Sequence, residues 1–132
     1  MAPDIQGRFE LAAKNTAEDV ARALDEQARI RRHVAEVMGD RVVIWPTSPG
    51  PAPRVGEPPD ALQAFRVAAF SLNCVAGLCG LPQVTLPVLR VPDGRGGTLP
   101  VGLSMVGPRG SDERLLADAR RWMEQIEKED DR

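Results

Sequence analysis

Val67-Ala-Ala-Phe-Ser-Leu-Asn-Cys-Val-Ala-Gly-Leu-Cys-Gly-Leu-Pro-Gln-Val-Thr-Leu-Pro-Val-Leu89 runs 23 residues without one charged side chain. A helix that is apolar all round has no face to offer water and has to be buried on every side. The chain holds 132 residues, few for enclosing such an element completely. The stretch therefore reads as part of a larger core. By length it would suffice to cross a bilayer. Against that reading, Asn73, Gly77, Gly80, Pro82, Gln83 and Pro87 interrupt it. Gly80-Leu81-Pro82 ends a helix and starts an extended segment. We expect a helix over 61–79, a strand over 83–91 and no membrane span.

Upstream, Glu57-Pro58-Pro59-Asp60 leads into that helix. A Pro-rich loop over 46–59 precedes it, and its prolines remove backbone donors and forbid helix. Arg41-Val-Val-Ile-Trp45 reads as a short strand over 41–45 that Pro46 stops. Thr16 and Asp19 form a capping-box-like start for a helix over 16–38. Its apolar stripe is Val20, Ala23, Leu24, Ile30, Val34, Val37 and Met38. Glu18, Arg22, Asp25, Arg29 and Arg32 make the solvated face, and Gly39 ends the helix.

Downstream, the turn Pro92-Asp-Gly-Arg-Gly-Gly97 joins the strand over 83–91 to another over 99–106 as an antiparallel hairpin. Both strands are apolar on both faces, which suits a covered, central place in a sheet. After the turn Gly107-Pro-Arg-Gly110, Ser111 caps a helix over 112–126, with Asp112 and Glu113 in its positive first turn. Leu115, Leu116, Ala119, Trp122, Met123 and Ile126 form its stripe. The charged tail, Glu127 to Arg132, is expected to fray. The sum is an α/β fragment of three helices and three strands with an incomplete core. No internal repeat is present. A hairpin alone is marginal, so these strands are expected to extend a larger sheet.

Composition narrows the partners. Basic and acidic residues alternate to a net charge of −2 and form no basic stripe, and aromatics are 4%. Those two facts argue against a nucleic-acid surface. The N-terminus has no apolar h-region, so no secretory signal is visible and a cytoplasmic location is expected.

Candidate chemistry is sparse. His33, the only histidine, lies on the first helix between Arg32 and Val34 and reads as structural. Cys74 and Cys79 lie five apart in the apolar run, off metal and redox spacings, and read as reduced buried thiols. A small Cys-dependent enzyme would need one of them paired with His33, and nothing in the sequence orients such a pair. One His and two mismatched Cys make no metal site. Gly94-Arg-Gly-Gly97 is not followed by a helix and is no phosphate loop. Gly107 to Ser111 does precede a helix, but Asp112 and Glu113 already hold its positive end. Ser48, Ser71, Ser104 and Ser111 sit in no nucleophile elbow, and neither Lys14 nor Lys128 has Ser–Lys spacing. The residues supply no catalytic centre, and no cofactor is expected.

Four segments, in order, nonetheless carry a resemblance. Ile44-Trp-Pro-Thr-Ser-Pro49 is similar to an "L-x-P-T-x-P" strand end, with a helix like Thr16–Met38 before it. Gly80-Leu-Pro-Gln-Val-Thr-Leu-Pro87 is similar to a "G-[LY]-P" turn and strand. Leu99-Pro-Val-Gly-Leu-Ser-Met-Val-Gly-Pro108 resembles "G-L-P-V-G-[LV]-Q-[LI]-[IV]-G", and Ser111-Asp-Glu-Arg-Leu-Leu116 resembles a "D-E-x-L-L" helix. This is the C-terminal pattern of amidase signature enzymes. Ala69 to Gly77 looks closest to the branch acting on small amides such as indole-acetamide.

The resemblance implies a piece of a large mixed-sheet α/β fold. Such enzymes hydrolyse amides with a Ser–Ser–Lys triad and an oxyanion site of backbone N–H groups. No position of this chain matches the triad, so no catalytic residue is assigned and the substrate-binding set stays open. Pro46-Thr47-Ser48 and the small residues from Asn73 to Gly77 are candidate pocket wall. The implied partner is the missing N-terminal amidase portion, or a chain carrying it, with self-association as a further expectation. The other reading is a non-catalytic interaction or regulatory module that pairs with itself or a larger amidase-like chain.

Overall fold

The computed structural model describes residues 3–130, and within them the chain forms four helices and three strands. Helix α1 spans Pro3–Ala12, α2 Ala17–Met38, α3 Pro59–Cys79 and α4 Asp112–Asp130. Strands β1, β2 and β3 span Val43–Pro46, Gln83–Pro92 and Thr98–Val106. The first helix was not expected. Proline is well placed to begin it, since φ is preset and the missing N–H has no intrahelical partner there. Its apolar residues make no buried stripe, and Phe9 and Leu11 are exposed.

The sheet order is β1-β3-β2, antiparallel throughout. β3 is central, as expected, but β2 is an edge strand and not a central one. β1 starts two residues later than the sequence suggests and includes Pro46, which pairs with Leu103. Proline is tolerated there because its nitrogen faces away from the ladder at a sheet edge. β2 shifts register between Leu86 and Leu89, a bulge that accommodates Pro87.

Local chemistry explains the helix ends. Thr16 and Asp19 form the full reciprocal capping box at the start of α2. At the far end of α3, Gly80 adopts φ 65° and ψ 44°, and the Leu81 N–H reaches back to Ala76 O at 2.9 Å. That left-handed closure suits glycine and turns the chain from the helix into β2. Ser111 behaves differently from expectation. Its hydroxyl donates to Pro108 O at 2.7 Å, bracing the preceding turn rather than accepting from the first turn of α4. The tail expected to fray stays helical to Asp130, where Lys128 in the last turn complements the negative end. Residues 131 and 132 lie outside the described part.

The sheet has two covered faces. Leu86 and Met105 pack with Leu115 and Ala119 of α4 on one. Met38, Ala76 and Val106 pack together on the other, beside Trp45 and Leu81, which places α2 and α3 there. This covering is thin. α3 is long and apolar enough to cross a membrane by length and composition, with mean hydropathy 1.4, and only 11% of its apolar window is buried. Asn73 ties it to the sheet, while Val67 and Phe70 are 55% and 73% exposed.

Candidate functional site

The polar side chains of the molecule converge at one place, where β1 ends and α3 crosses β2 and β3. Ser104 is fully buried. Strand alternation turns it, with Gly102, Gln83 and Thr85, to the α3 side of the sheet. Its Oγ lies 2.7 Å from Thr47 Oγ1, 2.7 Å from Gln83 Nε2 and 3.5 Å from Thr85 Oγ1. Gln83 Nε2 also donates to Asn73 Oδ1 at 2.6 Å. Asn73 Nδ2 donates to Thr47 O and Ala69 O, both at 2.7 Å. Two carbonyls facing one amide nitrogen fix the orientation of the Asn73 side chain and hence of Gln83. Thr47 Oγ1 donates to Thr85 Oγ1 at 3.3 Å, which leaves Ser104 as the donor toward Thr47.

Gly102 leaves little room for a side chain beside this cluster. A Cβ on Gly102 would stand 2.5 Å from Thr85 Cγ2 and 2.9 Å from Thr47 Oγ1. Without it, the Thr47 N–H can close on Gly102 O at 2.7 Å and carry β1 into the loop.

Of the candidate wall residues, the structure joins Thr47 and Asn73 directly. Pro46 pairs in β1, and Ser48 turns its hydroxyl to Gly50 O at 2.6 Å. Cys74, Ala76 and Gly77 do not enter the cluster. Sequence reading missed Gln83, Thr85 and Ser104 as a unit. The available signal was Gln83 and Thr85 at alternate positions of one apolar strand stretch and Ser104 in the facing one.

The cluster holds hydroxyls and carboxamides and no ionisable group. Among the described residues Ser104 has no base to take its proton, and a serine without one is a weak nucleophile. The arrangement can hold a strand end, a helix and a loop in fixed register.

The other candidates stay apart. His33 is exposed on α2, and no hydrogen bond among the described residues joins it to Cys74 or Cys79. Cys74 Sγ contacts Ser71 O at 3.5 Å. Cys79 is buried, and burial pushes its thiol above the ordinary 9.0, with Cys74 adding to the rise and Arg31 opposing it. A reactive cysteine needs the opposite shift. Lys14 follows α1 and Lys128 sits near the end of α4; both are exposed and hydrogen-bond no serine among the described residues. No group of three or more His, Cys, Asp or Glu suited to a metal occurs among the described residues.

Comparison with known proteins decides the family. The amidase family model matches residues 3–116. The chain belongs to the amidase family. It is 34% identical to Amidase 1 of Arabidopsis thaliana over 116 residues, 87% of this chain but 26% of that protein. It is 38% identical to Amidase 1 of Oryza sativa subsp. japonica over 91 residues, 68% of this chain and 20% of that protein. A glutamyl-tRNA(Gln) amidotransferase polypeptide of Thermotoga maritima is 30% identical over 115 residues, 86% of this chain and 23% of that protein. A crystal structure of an amidase superposes on 95% of this chain with a TM-score of 0.69 and 25% identity, using 29% of that molecule. The chain thus spans about a quarter of the length of the relatives it matches. Its fold is a fragment of the amidase α/β fold.

Proposed function

We propose that this amidase chain is the C-terminal segment of an amide hydrolase of the small-amide branch, and that it is inactive alone. It supplies scaffold, and the Thr47–Asn73–Gln83–Ser104 cluster supports a stretch of pocket wall. The attacking serine, the bridging serine and the lysine belong to the complementary segment. The observation that carries this reading is the asymmetry of the match, 87% of this chain against 26% of Amidase 1. The reading is supported further by the serine hydroxyls, none of which is hydrogen-bonded to an acid or base among the described residues.

The reading has a direct test. Purified chain, assayed with indole-acetamide, is expected to release no ammonia above the protein-free rate. The variants Ser48→Ala, Ser71→Ala, Ser104→Ala and Ser111→Ala are expected to match it. Robust hydrolysis that one of these substitutions abolishes would overturn the proposal.

A further inference from the structure

We infer that a small phosphate monoester binds in the cleft where the ends of α2 and α3 meet the turn after β3. Arg31 and Arg32 of α2 and Arg109 of that turn line a cavity of about 270 Å³, together with Met38, Leu81 and Pro108. Arg109 is remote in sequence from the other two, so only the fold gathers the three charges. No carboxylate lines the cleft among the described residues. The ion pairs among those residues are made by Arg22, Arg29 and Arg121 instead.

Arginines near helix C-termini commonly serve the carbonyls there. That role accounts for only part of this cluster. Leu78 O at the end of α3 accepts from Arg31 Nε at 2.7 Å and from Gln27 Nε2 at 3.1 Å. The carbonyls of Val37, Met38 and Asp40 at the end of α2 accept from Arg41 and Arg114, which lie outside the cleft or beside it. Arg31 keeps its two terminal nitrogens. Arg32 and Arg109 are exposed, and their side chains donate no hydrogen bond among the described residues. Each helix end carries about half a negative charge. Three guanidinium charges exceed two such ends by about two, which matches a dianion.

The charges are also placed. Leu78 O holds Arg31, and Arg109 lies against the Gly80 turn, its Cζ 4.0 Å from where a Cβ on that glycine would stand. The guanidinium fork suits the paired oxygens of a phosphate. Pockets for drug-sized ligands span about 300–1,000 Å³, so this cleft is too small to enclose a nucleotide. Met38 is buried and Leu81 and Pro108 are half-buried, an apolar floor that inorganic phosphate would leave uncovered. A monoester with a small apolar organic part covers it. None of these residues belongs to the Thr47–Asn73–Gln83–Ser104 cluster, so the inference stands apart from the amide-hydrolysis reading.

The test titrates phenyl phosphate into the full chain at low salt and about pH 8, where a phosphate monoester has lost its second proton. Calorimetry and the amide signals of Gly39 and Gly80 report binding. The titration is repeated on the chain assembled with the part of Arabidopsis Amidase 1 outside the region it matches. Saturable binding with a Kd of about 1 mM is expected, with shifts at both glycine amides. Inorganic phosphate should bind about tenfold more weakly, since it buries no ring. Arg32→Gln and Arg109→Gln should each weaken phenyl phosphate by about tenfold, the loss of a charge-assisted hydrogen bond. Neither breaks a side-chain hydrogen bond among the described residues, so both should keep the parent's helical circular dichroism. Arg29→Gln, on the same helix but paired with Glu26, should leave binding unchanged. Absence of saturable binding in both forms, or equal weakening by Arg29→Gln, would overturn the site. Equal affinity for phosphate and phenyl phosphate would overturn the monoester assignment.

Discussion

Ser104 sits where water does not reach, with its hydroxyl held by Thr47 and Gln83. Removing that hydroxyl leaves one N–H of the half-buried Gln83 carboxamide without its acceptor, a loss worth about 1–3 kcal/mol. Ser104→Ala is therefore expected to lower the urea midpoint of the assembled protein by that free energy divided by an unchanged m-value. Gly102→Ala forces a methyl against Thr85 and Thr47 and is expected to cost about 1–3 kcal/mol, as overpacking does. Thr85→Ser removes the nearer clashing carbon, so the double variant Gly102→Ala/Thr85→Ser should recover part of the loss. Strict additivity in that cycle would contradict the close approach. Cys79 should react slowly with a maleimide at pH 7 and faster as pH climbs toward its raised pKa. Rapid labelling at neutral pH would revive a cysteine-based chemistry. Two of the cluster's five residues, Thr47 and Asn73, were legible in the sequence as wall candidates. Gln83, Thr85 and Ser104 were not. Their convergence depends on hairpin register, and the Pro87 bulge makes that register hard to read from periodicity.

The elements were more legible than their ends. Pattern and caps located α2, α3, α4 and all three strands, because apolar stripes, the Thr16–Asp19 box and Gly80 are local signals. α1 escaped because it buries no stripe for periodicity to find. β2 read as central because its residues are apolar on both faces, although it lies at an edge. α2 has a pH-sensitive start. The Thr16 backbone N–H, then the Thr16 hydroxyl and Arg22, hold the Asp19 carboxyl below its ordinary 3.8. A depressed folded pKa stabilises above the unfolded value, and that contribution is lost as pH falls through the depressed one. Amide exchange in the first turn of α2 should accordingly quicken below about pH 4 while the last turn is unaffected. Equal change at both ends would mean that the cap does not govern the helix start.

The whole molecule exposes 9913 Å² of surface. A compact monomer of 14.3 kDa exposes about 6,800 Å² by the usual scaling with mass. The excess, about 3,000 Å², is the size of a permanent interface, and much of it is apolar side chain on α1, α2, α3 and β1. The uncharged run at Val67–Leu89 signalled this shortage of cover, but no residue pattern could say which surface is left open. Topology decides that, through which strand ends at each edge. The chain alone is expected to bind the dye ANS and to unfold with little cooperativity, and both properties should revert on assembly. The measurement that tests the account most directly is a titration of the complementary Amidase 1 segment with this chain, reading amide hydrolysis. The account predicts no activity from either part alone and activity that climbs to a plateau at one chain per segment. Hydrolysis by this chain without the segment, or a stoichiometric complex that stays inert, would contradict it.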